Sequence, residues 1–586
     1  MKSFLKKLLS TILSMVFSMF IMTLIIVGIV SVGISSINSN EKVAINKNSI
    51  LSIDLSSLNI VERTSENPLK GLALSGEISE TISLKQVLDN IEKAKKDDKI
   101  KAIYINTPYV SAGISQIEEI RNKLLEFKKT GKPIISYSEI YNQAAYYLAS
   151  VSSKVYLNPM GVVDLKGLSA SVMFYKGLLE KLDVDVQIIR HGKFKSAIEP
   201  FILEKMSNEN RQQMQLLLNS FANNIMDSIA SQRKLSLKEV KKHANNLSLE
   251  SAQICLDLNY VDALLYQDQI QDTLMSISGE EKLNIISLTK YSNVMNERKE
   301  ISSNKIAIIY ATGEINLGKG DEQSIGSITT AKAIKRARED RKVKAIVLRV
   351  NSPGGSALAS DIIWRETVLA KAEKPLVVSM GDYAASGGYY IACAADSIIA
   401  NPTTLTGSIG VFGMIPNLQK LYKNKLGITI DTVNTNTYAD MGINRPLSQF
   451  EKNKIQKSVR NTYRDFITKV GEGRGMSLSE VDDVGQGRVW TGYDAKRIGL
   501  IDSYGGLEKA IEIAVYLAKI DDYRIISLPK KKDPFSEIAL KLSNSTSFTN
   551  ILFKKLGITS DLIEPIESLL NSDRIQARIP FMMKLE

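Results

Sequence analysis

Lys342-Val-Lys-Ala-Ile-Val-Leu-Arg-Val-Asn-Ser-Pro-Gly-Gly-Ser356 is the stretch on which the reading of the fold turns. Its centre, AIVLRV (345–350), is apolar on both faces, as a strand covered on both sides of a parallel sheet must be. It runs into a Ser-Pro-Gly-Gly turn, which ends the strand. The opening residues occur twice. Lys99-Ile-Lys-Ala-Ile103 precedes Lys342-Val-Lys-Ala-Ile346 at an offset of 243. Outward from that pair, Lys132-Pro-Ile-Ile-Ser136 recurs, with one insertion, as Lys374-Pro-Leu-Val-Val-Ser379. Ala145-Tyr-Tyr147 recurs as Gly388-Tyr-Tyr390, Asn158-Pro159 as Asn401-Pro402, and Leu182 as Leu426. Matches that keep their order at a near-constant offset describe a tandem duplication. The division that follows is an N-terminal segment (1–44), a first repeat (45–299), a second repeat (300–530) and a C-terminal helical tail (531–586).

The second repeat alternates short apolar runs with helical patterns. KIAIIYATGEI (305–315) reads as a strand, 328–340 as a helix, 345–350 as a strand and 357–372 as a helix. LVVSM (376–380) and SIIAN (397–401) follow as strands around an Ala-rich stretch. Strands alternating with helices predict βαβ units, so the expected class is α/β with a largely parallel sheet in each repeat. In the tail, 535–572 carries amphipathic helical patterning.

Composition narrows the chemistry. The chain is 44% hydrophobic and 24% charged, the ordinary globular mix. Its net charge of +12 is spread over 586 residues without a dense basic block, so it reads as surface charge rather than a nucleic-acid footprint. Two cysteines, Cys255 and Cys393, make neither a disulfide framework nor a zinc site. With only His191 and His243 present, a hydrolase built on a histidine would have to use one of these two.

Leu8 to Asn40 contains no charged residue, and Ile12–Ile34 is its most apolar part. At about 1.5 Å per residue that stretch spans a bilayer of about 30 Å. Lys2, Lys6 and Lys7 precede it, which keeps the N-terminus in the cytoplasm and exports the rest. A cleavable leader has an apolar run of about 7–15 residues and an Ala-x-Ala-like site. This run is longer and no such site follows, so an uncleaved anchor is expected.

Chemistry-bearing residues collect at the ends of the buried strands. AIVLRV leads into Pro353-Gly354-Gly355-Ser356, and LVVSM into Gly381-Asp-Tyr-Ala-Ala-Ser386-Gly387-Gly388. Parallel sheets bind ligands at the carboxyl ends of their strands. Ser386 sits among small residues where a helix should begin, and the Gly387 N–H is unhindered. A serine beside two glycine-rich donor loops is the layout that acyl transfer requires. Each motif alone has a simpler reading: a serine before a helix is usually its cap, and Gly-Gly after a strand a turn.

Taken together, PGGS (353–356), GDYAASGGYYIA (381–392) and LTGSIGVFG (405–413) resemble the C-terminal half of the signal peptide peptidase A, or protease IV, family in its long duplicated bacterial form. GKFKSAIEPF (192–201) resembles the segment that carries that family's catalytic lysine. The resemblance covers nearly the whole chain. It implies tandem duplicated Clp protease/crotonase-like domains behind an N-terminal transmembrane helix, and peptide cleavage by a Ser-Lys dyad without metal or cofactor. Residue by residue, it implies Ser386 as nucleophile, Lys195 as general base and Ser408 as the hydroxyl that orients the lysine. Gly355 and Gly387 would supply oxyanion-hole amides, with Gly354 the rival to Gly355. The partners implied are peptides, above all cleaved signal peptides, and further copies of the chain, a tetramer being favoured. The place implied is the bacterial inner membrane, single-pass, with the catalytic part on the periplasmic side.

The residues agree with that expectation. A lysine can serve as base only if desolvation removes its charge near neutral pH, and Ser196–Leu203 supplies apolar neighbours. Lys193 is the local rival. In the repeat alignment Gln143 stands opposite Ser386, Leu165 opposite Ser408 and Ala439 opposite Lys195. The first repeat thus carries a base without a nucleophile, and the second the reverse. Two other readings compete: a crotonase-type acyl-CoA enzyme, disfavoured by the export segment, and a non-catalytic membrane scaffold.

Overall fold

The structure is a computed structural model of the 586-residue chain and describes residues 14–15, 17–22, 45–64, 80–294, 302–530 and 575–579. Each repeat contributes one α/β sheet. In the first, six parallel strands lie in the order Ala263–Leu264, Lys154–Asp164, Ile134–Asn142, Ile100–Asn106, Ser49–Ile53, Ile285–Ser287. In the second, the order is Val489–Thr491, Leu405–Gly407, Leu376–Ala385, Val343–Ser352, Lys305–Thr312, Arg524–Leu528. Only Val489–Thr491 on that path runs antiparallel to its neighbour.

The duplication is visible in the register. Ile103 pairs with Ile134 as Ile346 pairs with Leu376, and Ile50 pairs with Ala102 as Ile306 pairs with Ala345. It extends to helices with little sequence identity. Asn208–Arg233 and Gln449–Arg474 are both 26 residues long. Ser207 and Ser448 cap them, each accepting from a backbone N–H three residues on.

A third, mixed sheet ties the halves together. Its order is Ser324–Gly326, Glu314–Asn316, Gly354–Ser356, Ile575–Arg578, Val411–Asn417, Asp185–His191. The last strand comes from the first repeat, yet it pairs antiparallel with Val411–Asn417 of the second along its whole length. A buried ionic cluster makes a further joint. Arg349 is fully buried; its Nε lies 2.8 Å from Glu62 and its Nη2 2.8 Å from Glu119, both of the first repeat. Asp382, also buried, accepts the Ser115 N–H at 2.9 Å. Burial raises the Asp382 carboxyl to about 6. Both cysteines are free and buried, as small apolar side chains commonly are.

Most of the expected membrane segment lies outside the described residues; within it, 14–15 and 17–22 are helical and exposed. No helix of the described residues is long and apolar enough to cross a membrane. The helical patterning of 535–572 also falls outside them. A tail that is helical throughout needs one correction: Ile575–Arg578 is a strand. Four residues are too few to hold a helix alone, and two open strand edges supply backbone partners on both sides.

Candidate active site

The strand Leu376–Ala385 and the helix Gly387–Ala392 meet at Ser386, whose φ of 56° and ψ of −113° lie where side-chain-bearing residues are strained. The turn is held by the Ser386 N–H, which donates to the Gly407 carbonyl at 2.7 Å. The hydroxyl does not cap the helix, so the simpler reading of this serine fails. Ser386 Oγ instead lies 2.7 Å from Lys195 Nζ. Lys195 Nζ also reaches Ser408 Oγ at 3.1 Å and the Ser408 carbonyl at 3.2 Å. Ser408, like Ser386, has a positive φ, 50°.

Lys195 arrives by way of the third sheet. The strand Asp185–His191 ends against Val411, three residues beyond Ser408, and the chain then turns Lys195 inward. Glu199 anchors the far side of the turn by accepting the Ser207 hydroxyl at 2.6 Å and the Asn210 side-chain amide at 2.9 Å. Lys195 is fully buried and Lys193 is exposed, which separates the two rivals. Desolvation alone drives the Lys195 amine well below its ordinary pKa. The two histidines are engaged elsewhere. His191 packs on Tyr463 with ring centroids 4.2 Å apart, and His243 Nδ1 lies 3.1 Å from the Tyr260 hydroxyl.

The glycine-rich loop closes the site. Gly354 donates its N–H to Ser352 Oγ at 3.2 Å, and Gly355 pairs with Ala577 of the adjoining strand. A neutral amine against a hydroxyl, with backbone N–H groups close by, can take the proton as the oxygen attacks a carbonyl. The pair forms within one chain across 191 residues of sequence. In the first repeat, Gln143 occupies the helix start that matches Ser386, and its Oε1 accepts the Gly167 N–H at 2.9 Å. Ala439 is exposed. Among the described residues, no cluster of His, Cys, Asp and Glu could hold a metal ion.

Gly487 had no signal in the sequence. It sits at φ 79°, and a Cβ there would lie 2.8 Å from both the Cβ and the N of Lys195. Only glycine lets this loop press on the lysine. Gly487→Ala is therefore expected to displace Lys195 and lower kcat/KM about 100-fold. Gly499→Ala is the control. Its φ of 81° carries similar backbone strain, but no atom lies within 4 Å of the new Cβ, so it should lose stability and keep activity. Equal kinetics in the two variants would refute the contact.

Comparison of the sequence with known proteins identifies a family. The model of peptidase family S49 matches residues 126–280 and 369–521, once in each repeat. Protease 4 of Salmonella typhi is 35% identical over 536 residues, covering 89% of this chain and 86% of that protein. Protease 4 of Haemophilus influenzae is 37% identical over 460 residues, covering 76% and 74%. The chloroplastic serine protease SPPA of Arabidopsis thaliana is 33% identical over 543 residues, covering 89% and 79%. These matches set aside the acyl-CoA enzyme and the inert scaffold. With both repeats matched and relatives aligned over most of their length, the chain belongs to peptidase family S49 and is a serine protease.

Proposed function

We propose that Ser386 is the nucleophile, Lys195 the general base and Ser408 the group that orients the lysine. The observation that carries this reading is the fully buried Lys195 Nζ, 2.7 Å from Ser386 Oγ. The neutral amine takes the Ser386 proton as Oγ attacks a peptide carbonyl. The N–H groups of Gly355 and Gly387 hold the oxyanion in a site without bulk water. Lys195 then passes the proton to the leaving amine, and a water activated by the same lysine hydrolyses the acyl-enzyme. Ser408 Oγ and its carbonyl fix the remaining N–H bonds of the amine, so the lone pair faces Ser386. The finer fold reading, tandem Clp protease/crotonase-like domains, is supported by strands that feed a nucleophile turn and a Gly-Gly loop on one edge.

The substrates proposed are short or unfolded peptides, cleaved signal peptides first among them. The enzyme would be tethered by its N-terminal apolar segment to the inner membrane, facing the periplasm, as an assembly of several copies. The run of uncharged residues after three lysines supports the tether. Titration with a fluorophosphonate-type serine probe tests the catalytic assignment. One site per chain should be labelled, and the label should be lost in Ser386→Ala. Labelling should rise with pH, because Lys195 must be neutral to act and protonates as pH falls. A second labelled serine in the first repeat, or a rate that falls steadily from about pH 6 to 9, would overturn it.

A further inference from the structure

Burial is what weakens the Lys195 ammonium form, so whatever keeps water from the amine sets its strength as a base. Its cover is the loop Gly485–Arg488, from which Gly487 presses on the lysine. The Phe194 N–H donates to the Gln486 carbonyl at 2.9 Å, and a Cβ on Gly192 would lie 2.5 Å from that oxygen. The Gly487 carbonyl accepts the Ser408 hydroxyl at 3.3 Å, which leaves the Ser408 oxygen free to accept from Lys195. The loop is also strained: Gln486 holds a φ of 55°. A strained cover needs a hold from outside.

Tyr463, on the helix Gln449–Arg474, supplies one. It is only 3% exposed. Its hydroxyl accepts the Gln486 N–H at 3.2 Å and donates to the Asp482 carboxylate. Gln486 Nε2 donates to the same carboxylate at 2.6 Å. A Cβ on Gly485 would lie 3.0 Å from the Tyr463 hydroxyl, so glycine lets the loop come this close. The tyrosine ring packs on His191, the last residue of the strand that delivers Lys195. One side chain therefore touches both the strand that brings the lysine and the loop that covers it.

Asp482 alone would satisfy a buried phenol. The second bond, to the loop backbone, is the one that bears on the base. Aligned on their capping serines, the matching helix of the first repeat carries Ala222 where the second carries Tyr463. The hydroxyl thus belongs to the repeat whose loop covers a lysine. The charged or titratable groups on the elements packed here are His191, Asp482, Glu199 and Arg488, with Lys193 and Asp483 exposed at the rim. The Arg488 guanidinium lies over the Phe194 and Trp490 rings, and Glu199 is engaged by Ser207 and Asn210. The bonds of Lys195 Nζ go to Ser386 and Ser408 instead.

We propose that Tyr463 is a positioning residue for the base: it clamps the Gly485–Arg488 loop against the strand that delivers Lys195, and so keeps water off the amine. The hydroxyl touches no substrate; it acts through Gln486 and Gly487. Without it the Gln486 N–H is left unpartnered, and a buried group in that state takes a water when one can reach it. Water beside Lys195 solvates the ammonium form and returns the amine towards the ordinary lysine range.

The proposal rests on Lys195 as the base, and its test separates the two. Tyr463→Phe keeps the ring on His191 and removes only the hydroxyl. For the full-length protein and a chromogenic peptide, the acid limb of kcat/KM should move up by about one pH unit, a loss of about tenfold below the limb that closes at high pH. The loss should appear in kcat and leave KM in place. Asp482→Ala, which frees the hydroxyl, should move the limb the same way; Asp482→Asn, which keeps an oxygen to accept it, should not. An acid limb at the wild-type pH in Tyr463→Phe, or a loss equal at every pH, overturns the proposal whatever happens to the melting temperature. Identical profiles for the two Asp482 variants overturn it as well, even if Tyr463→Phe fails to fold. Hydrolysis by Lys195→Arg would instead remove the base assignment, an outcome independent of these three variants.

Discussion

Ser386→Ala is expected to abolish peptide hydrolysis, with a fall in kcat on the order of a millionfold, as when a nucleophile that works as a unit with its base is removed. The fold should survive. Ser386 caps no helix, and alanine meets the same backbone strain at φ 56° that serine already bears. The hydroxyl's recorded partner, Lys195 Nζ, keeps Ser408. Activity against a chromogenic peptide, with circular dichroism as the folding check, reads both halves of the prediction. Turnover near the wild-type rate would remove Ser386 from the mechanism.

Lys195 should be as sensitive, and its variants should separate charge from shape. Lys195→Arg should be inactive, because a guanidinium stays protonated at any working pH and cannot accept the serine proton. Lys193→Arg, at an exposed position, should keep most of its activity. Lys195→Met should also be inactive, yet more stable than wild type by on the order of 1 kcal/mol or more. The sign follows from burial. Burial depresses the amine's pKa in the folded chain, while the unfolded chain protonates it below about 10.4. Unfolding then takes up a proton, so wild-type stability falls as pH drops from that value towards the depressed folded pKa. Methionine has no such cost, so its advantage should widen in the same direction. Melting curves at pH 9 and pH 7 give the comparison; a methionine variant less stable at both would show that Lys195 is not held neutral.

The parts of this site that were legible lie in contiguous stretches. Pro353–Ser356 and Ser386–Gly388 end buried strands, and a strand end beside glycines is a local signal. The repeat was legible because strand-edge residues such as Lys99 and Lys342 kept their spacing. The departure of Asp185–His191 from its own repeat was not, since its pairing depends on an open edge more than 200 residues away. Gly487 was silent because its demand comes from Lys195, which only the finished fold brings near. Arg349 shows the same limit: one charge in an apolar strand reads as an exception, and its carboxylates, Glu62 and Glu119, come from distant elements. The strand Ile575–Arg578 carries no motif at all; its place is set by two edges that need a partner.

Delivering the proposed base from the end of a strand that crosses between repeats has a consequence for the order of synthesis. The ribosome makes Lys195 first and Ser386 only 191 residues later. At roughly 5–20 residues per second, that interval lasts about 10–40 s. The lysine must also be enclosed by Gly410 and Gly487, the latter almost 300 residues behind it, before it loses its charge. A growing chain, still threaded and unfolded beside other nascent chains, thus has no competent hydrolytic centre. With the proposed pair, chain order itself delays hydrolysis until the second repeat has been made.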